Sequence, residues 1–391
     1  MAKRVGIEVS QAIAEAVRLA NVDAIAAYPI TPQTHIVERL AEMVANGELD
    51  AAYIPVESEH SAMSACLGST AVGARTFTAT ASQGLELMHE VLYVASSMQL
   101  PLIMAVANRA LSAPISIWGD HSDAMAVRDT GWIQIFVENG QEAFDNILCA
   151  FRIGEDQGVL LPVMVHLDGF HLTHMIEPIY IAEQSEVDKF LPSFQYPLPL
   201  NPDKPVAMGG FGMPFIFTEV KKAQQAVLEN SREVILQCWQ EFNSCFGRQY
   251  KPVESYHSDG AKVLLLTMGS FSETAMDAID KMRSDGKDVG LLKLRLWRPF
   301  PFEEIRQAVK NADVLIVLDR AISYGGPGGP VCSEIRSAMY NEEKRPKIIG
   351  FVGGLGGRDI SVDGFESIVT RGVEISQSGS DQEFELYGVR E

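Results

Sequence analysis

Two glutamates, Glu57 and Glu59, stand just ahead of a segment whose side chains are almost all small. From Ser61 to Ala74 nearly every residue is Ala, Ser, Gly, Cys, Met or Thr, so another backbone or a planar ligand could approach this segment closely. One interpretation is structural: acidic residues are favoured at a helix N-terminus by its macrodipole, and Ser58 could cap the helix. The other is chemical, because a carboxylate held in a dry cleft can exchange a proton with a bound heterocycle. The close spacing of Glu57 and Glu59 does not show which of the two glutamates has which role.

Arg109 is a second candidate, because it follows Asn108 at the end of an apolar segment that is predicted to be a buried strand. A cation in such a place needs an anionic partner. The residues alone allow a salt bridge to an acid such as Asp123, or a clamp on an anionic ligand. Thr31 lies in the turn Pro29-Ile30-Thr31-Pro32 and, from the residues alone, is a turn residue before proline.

Other clusters of potential ligands favour structural roles. Asp120, His121 and Asp123 have side chains that could bind a metal, but two aspartates at a helix start more often cap the helix. His171 and His174 lie three residues apart and lack a third ligand for zinc. No metal site is therefore predicted in this chain.

The glycine-rich and cysteine-containing segments show no cofactor motif. The GGPGGP run from Gly325 to Pro330 lacks the Lys-Ser/Thr of a P-loop and the spacing of a dinucleotide fingerprint, so it is predicted to be a tight connection without an assigned function. Five cysteines are scattered without a C-x-x-C pair: Cys66, Cys149, Cys238, Cys245 and Cys332. This spacing offers no zinc or iron-sulfur ligand set and favours reduced thiols.

The composition is that of a packed globular protein with 47% hydrophobic and 21% charged residues. Its 391 residues suit two domains rather than one small core. A formal net charge of -19 argues against a nucleic-acid surface, although it could help a basic partner to dock. No signal-like segment and no bilayer-length apolar run occur, so a cytoplasmic location without membrane contact is expected.

Strand and helix patterns alternate in the first half, as in α/β proteins with a parallel sheet. A helix is predicted at Gly6 to Leu19, and short buried strands are predicted at Ala24–Tyr28, Thr76–Thr80, Leu102–Ala107 and Leu161–His166. Loops at the carboxyl ends of such strands are where α/β folds bind ligands. The loops that carry Thr31 and Arg109 are therefore the places where a site is expected.

The second half divides into an arm and another α/β unit. Pro192 to Pro205 lacks periodicity, and Phe217 to Gln249 is predicted to be a long charged helix that forms an arm rather than a core element. Strands of the second unit are predicted at Lys262–Thr267, Val289–Leu294, Val314–Asp319 and Ile348–Val352. The predicted division is a domain at 1–200, a linker and helical arm at 201–258, and a smaller domain at 259–391.

Several long motifs, in order along almost the whole chain, resemble the α subunit of pyruvate:ferredoxin oxidoreductase, of the 2-oxoacid:ferredoxin oxidoreductase family. The motifs are YPITP from Tyr28, SEHSAMSACLGSTAVGA from Ser58, TATASQGLELM from Thr78, NRALSAPISIWGDHSDAM from Asn108, RDTGWIQ, LDGFHLTH, RLWRPFP and GFVGGLGGRD. The resemblance implies a thiamine-diphosphate pyrimidine-binding domain, with a parallel sheet flanked by helices, followed by a smaller α/β domain like the C-terminal domain of transketolases.

The resemblance also implies the site residues. Glu59 occupies the position of the cofactor glutamate, which hydrogen-bonds N1′ of the aminopyrimidine and so activates the thiazolium C2, while Glu57 keeps a structural role. Arg109 becomes the clamp on the substrate carboxylate, and Thr31 donates a hydroxyl to the substrate. The implied activity is oxidative decarboxylation of pyruvate, with acetyl transfer to coenzyme A and electron transfer to ferredoxin.

Partner subunits are implied because the family's GDG motif, which holds diphosphate and magnesium, is absent here. The diphosphate and Mg²⁺ site is expected on a β subunit, and the [4Fe-4S] clusters are expected on partner chains, which include γ and a ferredoxin-like δ subunit. Three alternatives remain at this point: the same chemistry on branched-chain 2-oxoacids, half of a non-redox transketolase-like carboligase, or a non-catalytic scaffold.

Overall fold

The computed structural model describes residues 3–379 and 382–390 and contains two α/β units. The strands of the first sheet are β2 Ala24–Ala27, β3 Ala52–Pro55, β4 Thr76–Thr80, β5 Ile103–Asn108, β6 Ile133–Phe136, β7 Val163–Asp168 and β12 Leu296–Arg298. Their order is β12-β6-β7-β5-β4-β2-β3. All neighbouring pairs are parallel except β12 with β6. This order places the ends of β5, β4, β2 and β3 side by side at one edge.

Helices cover both faces of the first sheet, which explains why its central strands are buried along their whole length. The helices of this unit are α1 Val9–Leu19, α2 Thr34–Ala45, α3 Glu59–Ala71, α4 Ser82–Leu87, α5 His89–Ser97, α6 Ser122–Ala126, α7 Gly140–Gly154, α8 Gln184–Phe190 and α9 Pro214–Phe246. Residues of α1, α2, α7 and α9 build one core. Residues of α3, α4 and α5 build the core on the other face.

The second unit is a six-stranded sheet between two helical layers. Its strands are β9 Val253–Tyr256, β10 Val263–Met268, β11 Val289–Leu294, β13 Val314–Asp319, β14 Lys347–Val352 and β15 Phe384–Leu386. Their order is β15-β14-β13-β10-β11-β9, with only β9 antiparallel to its neighbour. Its helices are α10 Phe271–Ser284, α11 Phe302–Val309, α12 Pro330–Met339 and α13 Val362–Ser378. The strands predicted from the sequence in both units are confirmed: Thr76–Thr80, Val289–Leu294 and Val314–Asp319 have the predicted bounds, and the ends of the others differ by at most two residues.

The N-terminal prediction is partly wrong. A helix was expected from Gly6, but Lys3–Glu8 forms strand β1, which pairs antiparallel with β8 Ile176–Ile181, and the helix begins at Val9. The partner strand lies far along the chain, so the local pattern cannot reveal the pairing.

The long helix α9 is also only partly the arm that was predicted. Its first half is exposed, but Ile235, Trp239 and Phe242 in its second half are buried in the core of the first unit. These residues recur at helical spacing and so form one apolar stripe. The arm interpretation is therefore wrong for the second half of the helix.

The two units share strand β12. Leu296 packs in the core of the first unit, and its neighbour Trp297 packs in a core of the second, because successive side chains of a strand point to opposite sides. The boundaries 1–200, 201–258 and 259–391 stay a prediction. Strand β9, which belongs to the second sheet, begins at Val253 within the predicted linker, and β12 joins the first sheet although it lies within the predicted second domain. Within the residues that the structure describes, no helix combines the length and apolarity needed to cross a bilayer.

Candidate active site

The three predicted site residues lie at the carboxyl edge of the first sheet. Thr31 is in the turn after β2, Glu59 begins the helix after β3, and Arg109 directly follows β5. The intervening strand β4 leads into Ser82 and the short helix α4. Since these four strands are neighbours, their loops converge on one region of the surface.

Glu59 and Glu57 differ sharply in environment. Glu59 is the first residue of α3 and is only 6% exposed. Ser58 caps the helix by accepting a hydrogen bond from the Ser61 backbone N–H at 3.2 Å, as predicted. Glu57 is exposed, and the hydrogen bond it accepts from the Ser61 hydroxyl lowers the pKa of its carboxyl. Glu57 therefore completes the helix start, whereas Glu59 faces the interior.

The Glu59 carboxylate lies over the bare backbone of Gly84. A Cβ at Gly84 would sit 2.7 Å from Glu59 Oε1 and 2.5 Å from Thr80 Oγ1, so only glycine leaves room here. None of the residues that the structure describes donates a hydrogen bond to this carboxylate. The buried Thr80 Oγ1 and Gln83 Nε2 also have no hydrogen-bond partner among them. Unpaired buried polar atoms of this kind suit a polar ligand such as an aminopyrimidine.

Arg109 and Thr31 are in direct contact. The Arg109 guanidinium donates from Nε to the Ser116 carbonyl at 2.6 Å and from NH1 to the Thr31 carbonyl at 3.0 Å. Its NH2 group has no hydrogen-bond partner among the described residues, and the side chain is 7% exposed. Burial lowers the pKa of Arg109, but a guanidinium keeps its charge. The NH2 group of this fixed cation therefore remains available to bind an anion.

The alternative salt bridge between Arg109 and Asp123 does not form. Asp123 instead accepts hydrogen bonds from the backbone N–H groups of Arg109 at 3.0 Å and Ser82 at 2.9 Å, and from Asn108 Nδ2 at 2.8 Å. Burial raises the pKa of Asp123 to about 7. The role of Asp123 is thus to tie the ends of β4 and β5 together beneath the site.

The remaining polar clusters form contacts of several kinds. Asp120 accepts hydrogen bonds from the Ser122 N–H at 3.0 Å and hydroxyl at 2.6 Å, but the N-cap residue of α6 is His121 and no described side chain caps this helix. The ring of His174 packs against that of His35, with centroids 4.6 Å apart. Within residues 3–379 and 382–390, no three His, Cys, Asp or Glu side chains are grouped as a metal site would require.

The Gly325–Pro330 run is a surface connection that leads into α12. The buried Asp319 carboxylate fills the N-terminus of that helix by accepting from the N–H groups of Val331 at 2.8 Å and Cys332 at 3.0 Å. An anionic ligand therefore finds these donors already used. Burial likewise raises the pKa of Cys66 to about 12, so this thiol is a core residue, as predicted, rather than a nucleophile.

Sequence reasoning missed a buried charge cluster between the units. Asp168 at the end of β7 pairs with Arg320, and its carboxylate lies 2.9 Å from His121 Nε2 and accepts from the Ser270 N–H at 2.7 Å. Burial alone would raise the pKa of Asp168, but Arg320 and His121 hold it well below its ordinary value. The sequence feature that could have revealed this cluster is the same one that indicated Arg109. Asp168 and Arg320 are both charged residues at the end of a buried strand.

A cavity of about 950 Å³ lies away from the three site residues, between α9 and the segment around Arg298–Arg306. Among the described residues, the Glu59 carboxylate and the Arg109 NH2 group remain available for hydrogen bonds to a ligand.

Comparison with known proteins identifies both the class, thiamine-diphosphate-binding proteins, and the family. Residues 15–239 match the model described as pyruvate flavodoxin/ferredoxin oxidoreductase, thiamine diphosphate-binding, and residues 261–365 match pyruvate:ferredoxin oxidoreductase core domain II. The chain belongs to the pyruvate flavodoxin/ferredoxin oxidoreductase family.

Individual relatives agree with this assignment. The chain is 51% identical to pyruvate synthase subunit PorA of Methanothermobacter thermautotrophicus over 93% of this chain and 94% of the relative. It is 42% identical to ketoisovalerate oxidoreductase subunit VorA of Pyrococcus abyssi over 97% and 96%. Its fold matches 2-oxoglutarate:ferredoxin oxidoreductase from Magnetococcus marinus with a TM-score of 0.67 and 19% identity, covering 96% of this chain and 65% of that one.

Proposed function

We propose that this chain is the α subunit of a coenzyme A-acylating 2-oxoacid:ferredoxin oxidoreductase that acts on pyruvate. The reaction is the reversible oxidative decarboxylation of pyruvate to acetyl-CoA and CO₂, with electrons passed to ferredoxin. The observation that carries the proposal is the arrangement at the sheet edge: no described residue donates to the buried Glu59 carboxylate, and Arg109 donates from NH1 to the Thr31 carbonyl while its NH2 group has no partner among those residues. The naming of the PorA relative as a pyruvate synthase subunit supports the same activity.

The residues of this chain would then have separate roles. The Glu59 carboxyl group would hydrogen-bond N1′ of the aminopyrimidine and deliver a proton to that nitrogen. Arg109 would bind the substrate carboxylate through NH2, and the Thr31 hydroxyl, in the exposed turn beside it, would orient the substrate. Thiamine diphosphate, when bound, supplies the nucleophile for the 2-keto carbon and the electron sink for decarboxylation.

The rest of the assembly is proposed to lie on partner chains. This sequence lacks a GDG motif and any C-x-x-C pair, which supports a β subunit that holds diphosphate and Mg²⁺ and γ and ferredoxin-like δ subunits, with the [4Fe-4S] clusters on these partner chains. We also infer a cytoplasmic location, which the five free cysteines of the described residues support.

Pyruvate is the proposed substrate because of charge. The groups that contact the Arg109 guanidinium, the carbonyls of Thr31 and Ser116, are neutral, so a monoanionic 2-oxoacid leaves no second carboxylate unpaired. A branched 2-oxoacid is the second candidate, which the identity to the ketoisovalerate relative favours. Each added methylene changes discrimination by only about 1–3 kcal/mol, so the two substrates are close competitors.

We therefore expect the complex, reconstituted with its partner subunits, to prefer pyruvate. The measurement is kcat/KM on pyruvate, 2-oxoisovalerate, 2-oxoglutarate and oxalate with one electron acceptor. Preference for either dianion would contradict the charge argument. Preference for 2-oxoisovalerate would leave the chemistry in place and change the substrate.

Arg109→Lys is expected to raise KM for pyruvate by about ten- to one-hundredfold, with a smaller change in kcat. A lysine cannot hold the Ser116 and Thr31 carbonyls and also present a planar donor pair to a carboxylate, and charged hydrogen bonds contribute about 1.5–3 kcal/mol. Arg152→Lys is the matched control, because the ion pairs of Arg152 with Asp156 and Glu241 are partly exposed. An unchanged KM for Arg109→Lys would remove the assigned role.

A further inference from the structure

The loop from Ala110 to His121, here called the 110–121 loop, is fixed to the site on one side. It carries the Ser116 carbonyl that accepts from Arg109 Nε at 2.6 Å. The Ala110 N–H donates to the Trp118 carbonyl at 3.0 Å and folds the loop back on itself. The orientation of the Arg109 guanidinium therefore depends on where this loop lies.

The other side of the same loop is fixed by the second unit. Arg320, which directly follows β13, donates from NH2 to the Gly119 carbonyl at 3.0 Å, and its own carbonyl accepts from the His121 N–H at 2.8 Å. The Gly356 N–H donates to Asp120 Oδ2 at 3.0 Å. Three hydrogen bonds between residues 119–121 and the second unit thus hold this part of the loop.

Arg320 is itself rigidly held. It is 2% exposed, pairs with Asp168 in the first unit, and lies with its guanidinium carbon 3.9 Å from the centroid of the Phe271 ring. A buried, stacked and paired arginine has little freedom to shift, so its contact with Gly119 fixes the loop in one position.

The glycine-rich segment of the second unit fits this contact. Gly356 and Gly357 have φ values of +56° and +77°, and a Cβ at Gly357 would lie 2.5 Å from Trp118 Cβ. Glycine is required here both for the backbone conformation and for the close approach to the loop. The last two glycines of the GFVGGLGGRD motif are therefore explained by the contact with the 110–121 loop as well as by their own backbone conformation.

We propose that Arg320 is a positioning residue for substrate binding: the second unit, through Arg320 and the 110–121 loop, sets the orientation of Arg109 toward the substrate carboxylate. The inference rests on the proposed role of Arg109. It assigns the smaller unit a part in 2-oxoacid affinity although none of its side chains contacts the Arg109 guanidinium among the described residues.

The test compares Arg320→Lys with Arg295→Lys in the reconstituted complex. Arg295 is the matched control, since it is 3% exposed and joins Glu142 of the first unit to Glu254 of the second without contacting the loop. Arg320→Lys should raise KM for pyruvate by about tenfold or more, because small misplacements of binding groups are costly, and should leave kcat much less affected. Arg295→Lys should leave KM within about twofold.

Amide hydrogen exchange of the same complexes gives a readout that does not depend on turnover. Exchange in residues 110–121 should be faster in Arg320→Lys than in the parent complex and unchanged in Arg295→Lys. Gly357→Ala, which removes no charge, should shift KM in the same direction as Arg320→Lys because its Cβ would displace Trp118.

Equal KM changes in Arg320→Lys and Arg295→Lys, or unchanged exchange in the loop of Arg320→Lys, would overturn the inference. If Arg109→Lys raises KM and Arg320→Lys does not, the inference is wrong and the role of Arg109 stands. If Arg109→Lys leaves KM unchanged, the role of Arg109 is wrong and the inference falls with it.

Discussion

Glu59→Gln is expected to reduce turnover of the reconstituted complex by about 10²- to 10⁴-fold, the usual contribution of a general acid-base group. The amide preserves the shape of the side chain but cannot deliver a proton to N1′ as a carboxyl group does. The described residues offer no replacement, because Glu57 is exposed and points away from the interior. The measurement is steady-state turnover with pyruvate, coenzyme A and an electron acceptor.

Glu57→Gln is the matched control, since the same chemical change is made two residues away. We expect it to change turnover by about twofold or less, as surface substitutions rarely change free energies by more than about 0.5 kcal/mol. Both variants should assemble with their partners, which gel filtration can verify. Equal losses in the two variants would mean that the helix start, rather than one carboxylate, matters.

The isolated chain is expected to be inactive and to bind thiamine diphosphate weakly, whereas the reconstituted complex should bind it tightly and turn over. The physical reason is that the chain offers the pyrimidine side of the site, with Glu59 and Gly84, but lacks the GDG motif that holds diphosphate and magnesium. Calorimetry of the chain with thiamine diphosphate, with and without Mg²⁺, measures this directly. Tight magnesium-dependent binding by the chain alone would contradict the shared site.

The sheet strands could be predicted from the sequence because each is a short apolar run ended by a turn or a polar residue, as Val314–Asp319 is. Strand β1 could not, because its pairing with Ile176–Ile181 joins segments far apart in the chain. The burial of Trp239 on α9 and the sharing of β12 between two cores are likewise tertiary contacts, which local patterns do not contain.

The candidate site residues could be proposed one by one from the sequence, but their arrangement could not. The spacing of Glu57 and Glu59 could not rank them, and only the resemblance chose Glu59; the structure supplies a physical reason, since one is exposed and the other is buried over Gly84. The contact of Arg320 with Gly119 escaped prediction because it links loops of two different sheets. Charged residues at the ends of buried strands indicate that a site exists, but the residues that they contact are known only once the folded structure is known.

The most direct test of the central claim is the rate of deuterium exchange at C2 of thiamine diphosphate bound to the reconstituted complex, followed by NMR after acid quench. If the Glu59 carboxylate activates the cofactor, exchange in Glu59→Gln should be slower than in the parent complex by a factor close to the loss in turnover, and exchange in Glu57→Gln should be unchanged. Exchange at the parent rate in Glu59→Gln would show that this carboxylate does not activate the cofactor.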